Sequence, residues 1–213
     1  MVENKARRDI VEIGRRLYEK GFVASNDGNI SVRLSADEVL ITPTRLSKGS
    51  LTEADLVKVD LSGNVITGTL RPTSELKMHL AVYWIRSDVK AIVHAHPQKA
   101  TAFAVAGVPL DRITLPEAVL AFGSVSLAEY GTPSTEEVPN AVQKYIATSD
   151  ALLLANHGAL TVGPDLFDAY NKMEVLEHFA AISLYARLLG GERPLSEEQA
   201  RALYRLRDEA PGR

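Results

Sequence analysis

The sequence predicts an α/β fold: a single domain whose mainly antiparallel central sheet is flanked by helices. Three observations carry this. An amphipathic helix opens the chain, short alternating segments separated by Asn, Asp and Gly turns follow, and strand and helix patterns then alternate to the end. No repeat, low-complexity segment or linker interrupts the pattern, so residues 1–213 read as one domain, with 196–213 as a C-terminal helix and tail.

Each element has its own signal. Between Asn4 and Lys20, Ile10, Val11, Ile13 and Leu17 recur at helical spacing among Arg and Glu, and Gly21 stands where a helix stops. The turn-rich run Ala24–Asn29 leads into alternating segments at Ile30–Leu34, Glu38–Thr42 and Leu56–Asp60, with a hairpin tip at Leu61–Val65. Ser74 to Arg86 returns to helical spacing through Leu76, Leu80 and Tyr83/Trp84. Beyond it come strand Ala91–His96, helix Lys99–Ala106, strand Val125–Ala128, helix Glu136–Ala147, strands Ala151–Ala155 and Ala159–Val162, and helix Leu166–Leu189. Ser196-Glu197-Glu198-Gln199 has the spacing of a capping box and predicts a last helix.

Composition removes several function classes. With 24 Lys and Arg against 27 Asp and Glu, the formal charge of −3 lacks the basic footprint of a nucleic-acid binder. There is no cysteine, so disulfides and thiolate chemistry are excluded, and a transition metal must be held by His and carboxylate. The N-terminus is charged throughout and no run of about 18 apolar residues exists, so the expectation is a soluble cytoplasmic protein without membrane contact.

The histidines carry the chemistry. His94-Ala95-His96-Pro97 ends an apolar run, and strand alternation puts His94 and His96 on one face with Ile92. That pair alone fits buried, hydrogen-bonded imidazoles as well as it fits ligands. A third histidine, in Asn156-His157-Gly158, follows the apolar strand Ala151–Ala155, and Gly158 is expected to allow a sharp turn that aims His157 into a cleft. Three histidines from two strand ends suit Zn²⁺, with bonds of about 2.0–2.1 Å, and leave room for a carboxylate or substrate. His79 lies four residues after Glu75 on one helical face, where a supporting or packing role is preferred to ligation; His178, inside the last long helix, is expected to be structural.

Small hydroxyls and free N–H groups make Arg71-Pro72-Thr73-Ser74-Glu75 an anion cradle at a helix start, although a plain helix cap explains the same residues. Asn26-Asp27-Gly28-Asn29 and Thr42-Pro43-Thr44 are further clusters able to hold phosphate oxygens.

In order along the chain, Gly28-Asn29, Ile41-Thr42-Pro43-Thr44, Pro72-Thr73-Ser74-Glu75, His94-Ala95-His96-Pro97 and Asn156-His157-Gly158 resemble the class II aldolase/adducin-head family, over roughly residues 5 to 190. The resemblance implies a three-layer α/β/α fold and a homotetramer with sites at subunit interfaces. It implies that His94, His96 and His157 are Zn²⁺ ligands, with Mn²⁺ or Co²⁺ as substitutes, and that Glu75 binds metal at rest and shuttles protons during turnover. Asn29, Thr44, Thr73 and Ser74, with Gly28, would hold the substrate phosphate. Two positions depart from the pattern. Arg45 stands where a small residue is usual and could add a bidentate contact to the anion, and Thr73 replaces one of two serines. Leu115-Pro116-Glu117-Ala118 occupies the neighbourhood of the family's tyrosine from the adjacent subunit, leaving Glu117 and Tyr130 as stand-ins for a second acid/base.

The activity implied is Zn²⁺-dependent cleavage of a ketose 1-phosphate to dihydroxyacetone phosphate and a short aldehyde. The alternatives are a related reaction on the same site (pentulose-5-phosphate 4-epimerisation, decarboxylation of a phosphorylated keto acid, or dehydration of methylthioribulose phosphate) and a non-catalytic adducin-like interaction module.

Overall fold

The computed structural model describes residues 2–209. It opens with α1 (Val2–Glu19), whose Ile10, Ile13 and Leu17 are fully buried while its Arg and Glu side chains pair along the exposed face. An antiparallel meander follows: β1 (Asn29–Arg33), β2 (Glu38–Ile41), β3 (Val57–Asp60) and β4 (Val65–Thr67). The remainder alternates through α2 (Leu76–Ile85), β5 (Ala91–Ala95), α3 (Gln98–Val105), α4 (Pro116–Phe122), β6 (Ser126–Ala128), α5 (Glu137–Ile146), β7 (Ala151–Leu154), β8 (Gly158–Gly163), α6 (Leu166–Leu188) and α7 (Glu197–Asp208). Among the described residues all eight strands join one sheet in the order β4-β3-β2-β1-β5-β8-β7-β6, and only β6 and β7 run parallel.

The sheet separates two apolar cores. Ile10, Ile13 and Leu17 of α1, Phe103 of α3, Phe122 of α4, and Met173 and Leu176 of α6 pack on one face with Ala91, Val93 and Ala95 of β5. On the other face Met78 and Val82 of α2, with Val142 and Ile146 of α5, pack on Ile92, Leu152 and Leu160. The layering is thus α/β/α. Each fully buried Leu or Ile contributes about 1.5–3 kcal/mol, so the alternation of β5 is strongly fixed, because a one-residue slip would exchange its two faces. That alternation carries His94, with Ile92, onto the side where α2 begins.

Most predicted boundaries lie within two residues of the observed ones. The capping box at Ser196 is present in full, with Ser196 Oγ accepting from Gln199 N and Gln199 Oε1 accepting from Ser196 N. Residues 210–213 of the expected tail lie outside the described residues. One α-helix and one strand were not predicted. α4 is only seven residues long, and its signals were a proline at the first turn and Gly123, at φ 82°, closing it. β4 has three residues, all exposed, and pairs with β3 alone at the sheet edge; the Asp60 carboxylate accepts from Ser62 N and Asn64 N and closes the turn before it.

Candidate metal centre and anion cradle

Three histidines meet at the ends of the adjacent inner strands β5 and β8. His94 is the penultimate residue of β5, His96 follows the strand's end with its N–H donated to Phe22 O at 2.8 Å, and His157 sits in the turn between β7 and β8. The turn differs from expectation in how it is built. Asn156 supplies the left-handed residue, φ 55°, and His157 N closes it on Leu154 O at 3.0 Å. Gly158 instead is needed for close approach: a Cβ there would lie 2.5 Å from His96 Cδ2 and 2.7 Å from Ala95 O. The same holds at Gly28, where positive φ combines with a Cβ position 2.8 Å from His94 O.

The ring centroids are 4.9 Å (His94–His96), 4.7 Å (His94–His157) and 5.2 Å (His96–His157) apart. His94 Nε2 lies 3.1 Å from His96 Nε2, and Glu75 closes the group, with Oε2 3.2 Å from His94 Nε2 and Oε1 3.2 Å from His157 Nε2. A tetrahedral ion with bonds of about 2.0–2.1 Å holds its donors about 3.3–3.4 Å apart, so this packing matches what one cation requires. Two further observations fit a metal. His94 Nδ1 is engaged by Ala159 O at 2.9 Å, which in the neutral ring directs the Nε2 lone pair at the centre. Glu75 Oε1 is buried without any hydrogen-bond partner. His94, His96 and His157 can therefore hold a metal ion, with Glu75 positioned as a fourth donor.

Electrostatics favour an ionised carboxylate at Glu75 and neutral rings at His96 and His157, while His94 is drawn toward protonation. Burial acts to raise the Glu75 pKa, but the charge and hydrogen bond of His94, then His157 and Asn29, overturn it and hold the group well below the usual carboxylate range. Burial first, then the charges of His94 and His157, push His96 down to about 3, and burial followed by the charge of His94 takes His157 to about 4. His94 moves upward, because Glu75 outweighs its burial.

The cradle residues converge beside this centre through backbone pairing. Thr73 N donates to Thr42 O at 3.1 Å and Thr44 N to Arg71 O at 3.0 Å, so the two hydroxyl-bearing segments lie side by side. Glu75 is the N-cap residue of α2 and its N–H donates to Thr73 Oγ1 at 3.3 Å, which makes Thr73 a turn-forming hydroxyl as well as part of the cradle. Ser74 and Arg45 are exposed, and Arg45 adopts φ 60°. Asn29 is almost fully buried, and its amide is committed to Glu75 Oε2 at 2.9 Å and to His79, which leaves one N–H for a ligand.

The other sequence-selected residues separate. His79 does not join the metal group; it is fully buried and bonded to Asn29 and Ser31. Tyr130 is 57% exposed, between Glu129 and Gly131, which line a recess shared with His157. Glu117 lies on α4, in the layer across the sheet from α2, in a separate recess with His178 and Glu174. His178 is exposed rather than packed, and its neighbour Glu177 has the structural role: that buried carboxylate accepts from Lys99 N and Ala100 N and caps α3 just after His96. The sequence reading also missed Lys48, whose buried Nζ donates to Asn26 O at 2.9 Å and Leu46 O at 2.7 Å, tying together the loops of Gly28 and Arg45. Its only sequence signal was a lysine among small residues.

With that fold and site, the chain belongs to the class II aldolase and adducin N-terminal domain family, whose description matches residues 8–184. It is 38% identical over 175 residues to an L-fuculose phosphate aldolase of Methanococcus maripaludis, covering 82% of this chain and 94% of the relative. It is 35% identical over 181 residues to a 3-oxo-tetronate 4-phosphate decarboxylase of Haemophilus influenzae, covering 81% and 84%. A solved L-fuculose 1-phosphate aldolase superposes with a TM-score of 0.88 at 32% identity, covering 95% of each chain. The chain is accordingly an enzyme of the lyase class. Among the described residues no helix is long and apolar enough to cross a membrane.

Proposed function

We propose that the chain is a Zn²⁺-dependent aldolase that reversibly cleaves a ketose 1-phosphate of the fuculose-1-phosphate type to dihydroxyacetone phosphate and a short aldehyde. The observation that carries this reading is Glu75. Its carboxylate lies between His94 and His157 with one oxygen unpartnered, next to the hydroxyls of the cradle. His94, His96 and His157 would hold the ion, with Mn²⁺ or Co²⁺ as substitutes. Bound there, the ion supplies Lewis-acid stabilisation of the negative charge that develops beside the substrate carbonyl. Glu75 then takes a proton from the carbon next to that carbonyl in condensation and returns it in cleavage. Thr44, Thr73, Ser74 and the N–H groups entering α2 hold the phosphate, joined by Gly28, Asn29 and Arg45, and fix the carbon relative to Glu75. Tyr130, exposed between two residues that share a recess with His157, is the better placed second acid for the aldehyde oxygen; Glu117 could serve only from a neighbouring subunit. A cytoplasmic homotetramer with interfacial sites completes the proposal, and light scattering should return a mass about four times that of one chain.

The test is proton exchange. Metal-loaded protein should exchange one C–H of dihydroxyacetone phosphate with deuterated water in the absence of aldehyde, and a protein that does not is no aldolase. The 35% identity to a decarboxylase favours one second reading, decarboxylation of a phosphorylated keto acid on the same residues. Release of carbon dioxide from 3-oxo-tetronate 4-phosphate, without exchange on dihydroxyacetone phosphate, would select it.

A further inference from the structure

Behind Glu75 a file of buried polar groups runs away from the histidines, between α2 and β1. Glu75, His79 and Tyr83 are spaced four apart on one stripe of α2, and Asn29, Ser31 and Arg33 are alternate residues of one face of β1. The two rows interlock. Asn29 Nδ2 donates to Glu75 Oε2 at 2.9 Å, Asn29 Oδ1 meets His79 Nε2 at 2.5 Å, His79 Nδ1 meets Ser31 Oγ at 2.7 Å, and Ser31 Oγ meets the Tyr83 hydroxyl at 2.8 Å. Arg33 closes the far end, with its guanidinium 4.8 Å from the centre of the Tyr83 ring and one N–H on Tyr83 O.

The direction of every bond follows from the first. An ionised carboxylate only accepts, so the Asn29 NH₂ must face it, and Asn29 Oδ1 must then receive a proton from His79 Nε2. His79 is fully buried with no carboxylate against it, so its ring is neutral and Nδ1 is bare. Ser31 donates to Nδ1 and in turn accepts from Tyr83. A reversed amide would aim the Asn29 carbonyl at the carboxylate and leave His79 facing an N–H.

We propose that His79 is a positioning residue for Glu75: its Nε2–H locks the Asn29 amide so that Oε2 is held and Oε1 alone is left to take the proton. This rests on the role given to Glu75 above, but its structural half can be read without turnover. In the full-length, zinc-loaded protein, long-range ¹H–¹⁵N spectra should show His79 as the neutral Nε2–H tautomer, and the Asn29 NH₂ protons should exchange slowly with solvent. His79→Phe should speed that exchange by about 10–100-fold, the equivalent of leaving one buried acceptor, Asn29 Oδ1, without its donor, and lower kcat by a similar factor while KM and zinc content stay at parental values. His79→Gln, which can still present an N–H to Asn29, should recover most of the loss. An Nδ1–H tautomer in the parent, or parental kcat in zinc-loaded His79→Phe, overturns the proposal. Should His79→Phe not fold, Tyr83→Phe decides: it removes only the far-end bond while the order set from Glu75 stands, so His79 should keep its Nε2–H tautomer with kcat within a few-fold of the parent, and a switch to the Nδ1–H tautomer at parental kcat overturns the proposal equally. If the parent exchanges no substrate proton, the aldolase reading fails while the tautomer and amide measurements still test the Asn29 lock.

Discussion

The histidine centre and the anion cradle lie side by side but are built by different means. His94, His96 and Glu75 are carried by, or directly adjoin, β5 and α2, and every one of these side chains touches another polar group. The cradle is carried by turns: Thr44 and Arg45 follow β2, Thr73 and Ser74 precede α2, and Arg45 and Ser74 are exposed. Groups that must meet at donor-to-donor distances near 3 Å gain from the rigidity of packed strands, whereas an anion held by several exchangeable N–H and O–H donors tolerates a looser frame. Substitutions in the first region should therefore abolish chemistry or metal binding, and those in the second should mainly weaken substrate binding.

The largest effect is expected at Glu75. Glu75→Gln keeps the size and removes the basic oxygen, so proton exchange on dihydroxyacetone phosphate should fall by about 10²–10⁴, while binding of the phosphate survives through Thr44, Thr73 and Ser74. Robust exchange in that variant would move the proton to another group. Next comes the metal itself. His96→Ala should lower both metal content and turnover, and His178→Ala, an exposed position across the sheet, should change neither; elemental analysis with a turnover assay compares them. Metal retained in His96→Ala and lost in His178→Ala would reverse the assignment of the two histidines.

The two regions were also unequally legible in the sequence. The alternation Ile92-Val93-His94 puts His94 and His96 on one face and is local, whereas His157 was joined to them by its place at another strand end and, with Glu75, by the family resemblance; what brings His157 beside them is the pairing of β5 with β8. What joins the cradle is not local. The pairing of Thr42 with Thr73 and the clamp by Lys48 are contacts across tens of residues, and nothing local distinguishes Lys48 from a surface lysine. The polar file behind Glu75 was half visible, because the i, i+4 spacing of Glu75 and His79 is local while their shared partner Asn29 lies on another element. Gly158 shows the reverse case: a glycine at a turn was noticed, yet its reason, the His96 ring packed on its Cα, is a tertiary contact.

Lys48 gives the sharpest probe of the looser region. Its ammonium is buried, its pKa is pushed down to about 8 by that burial, and it holds two backbone carbonyls from the loops that bear Gly28 and Arg45. Lys48→Met removes both bonds and leaves the carbonyls unpaired. KM for a phosphorylated substrate should rise about tenfold, in line with the loss of one charge-assisted hydrogen bond, with metal content unchanged and kcat within a few-fold of the parent. A collapse of kcat at parental KM would mean that the cradle and the metal centre form one rigid unit.

The smallest effect concerns stability rather than activity, and it tests whether the rigid region owes its order to neutral buried imidazoles. Burial is the main cause that pushes His79 down to about 3, with the charge of His94 adding to it and that of Glu75 opposing. In the unfolded chain the same ring titrates near its ordinary value, about 6.5. Between these two values the unfolded state binds a proton that the folded state refuses, so stability falls as pH drops through this window and is regained as pH rises to about 6.5. One such group contributes a slope of at most about 1.4 kcal/mol per pH unit. His96 and His157 are depressed in the same direction, so His79→Asn should make the acid limb shallower without removing it. Urea unfolding of metal-free protein at a series of pH values from about 3 to 6.5 measures that slope, and comparing slopes separates the titration from any constant loss of packing in the variant. Equal slopes for the parent and His79→Asn would mean that His79 is protonated in the folded protein over this range, which would reverse the His79–Ser31 and Ser31–Tyr83 hydrogen bonds while Nε2–H stays on Asn29.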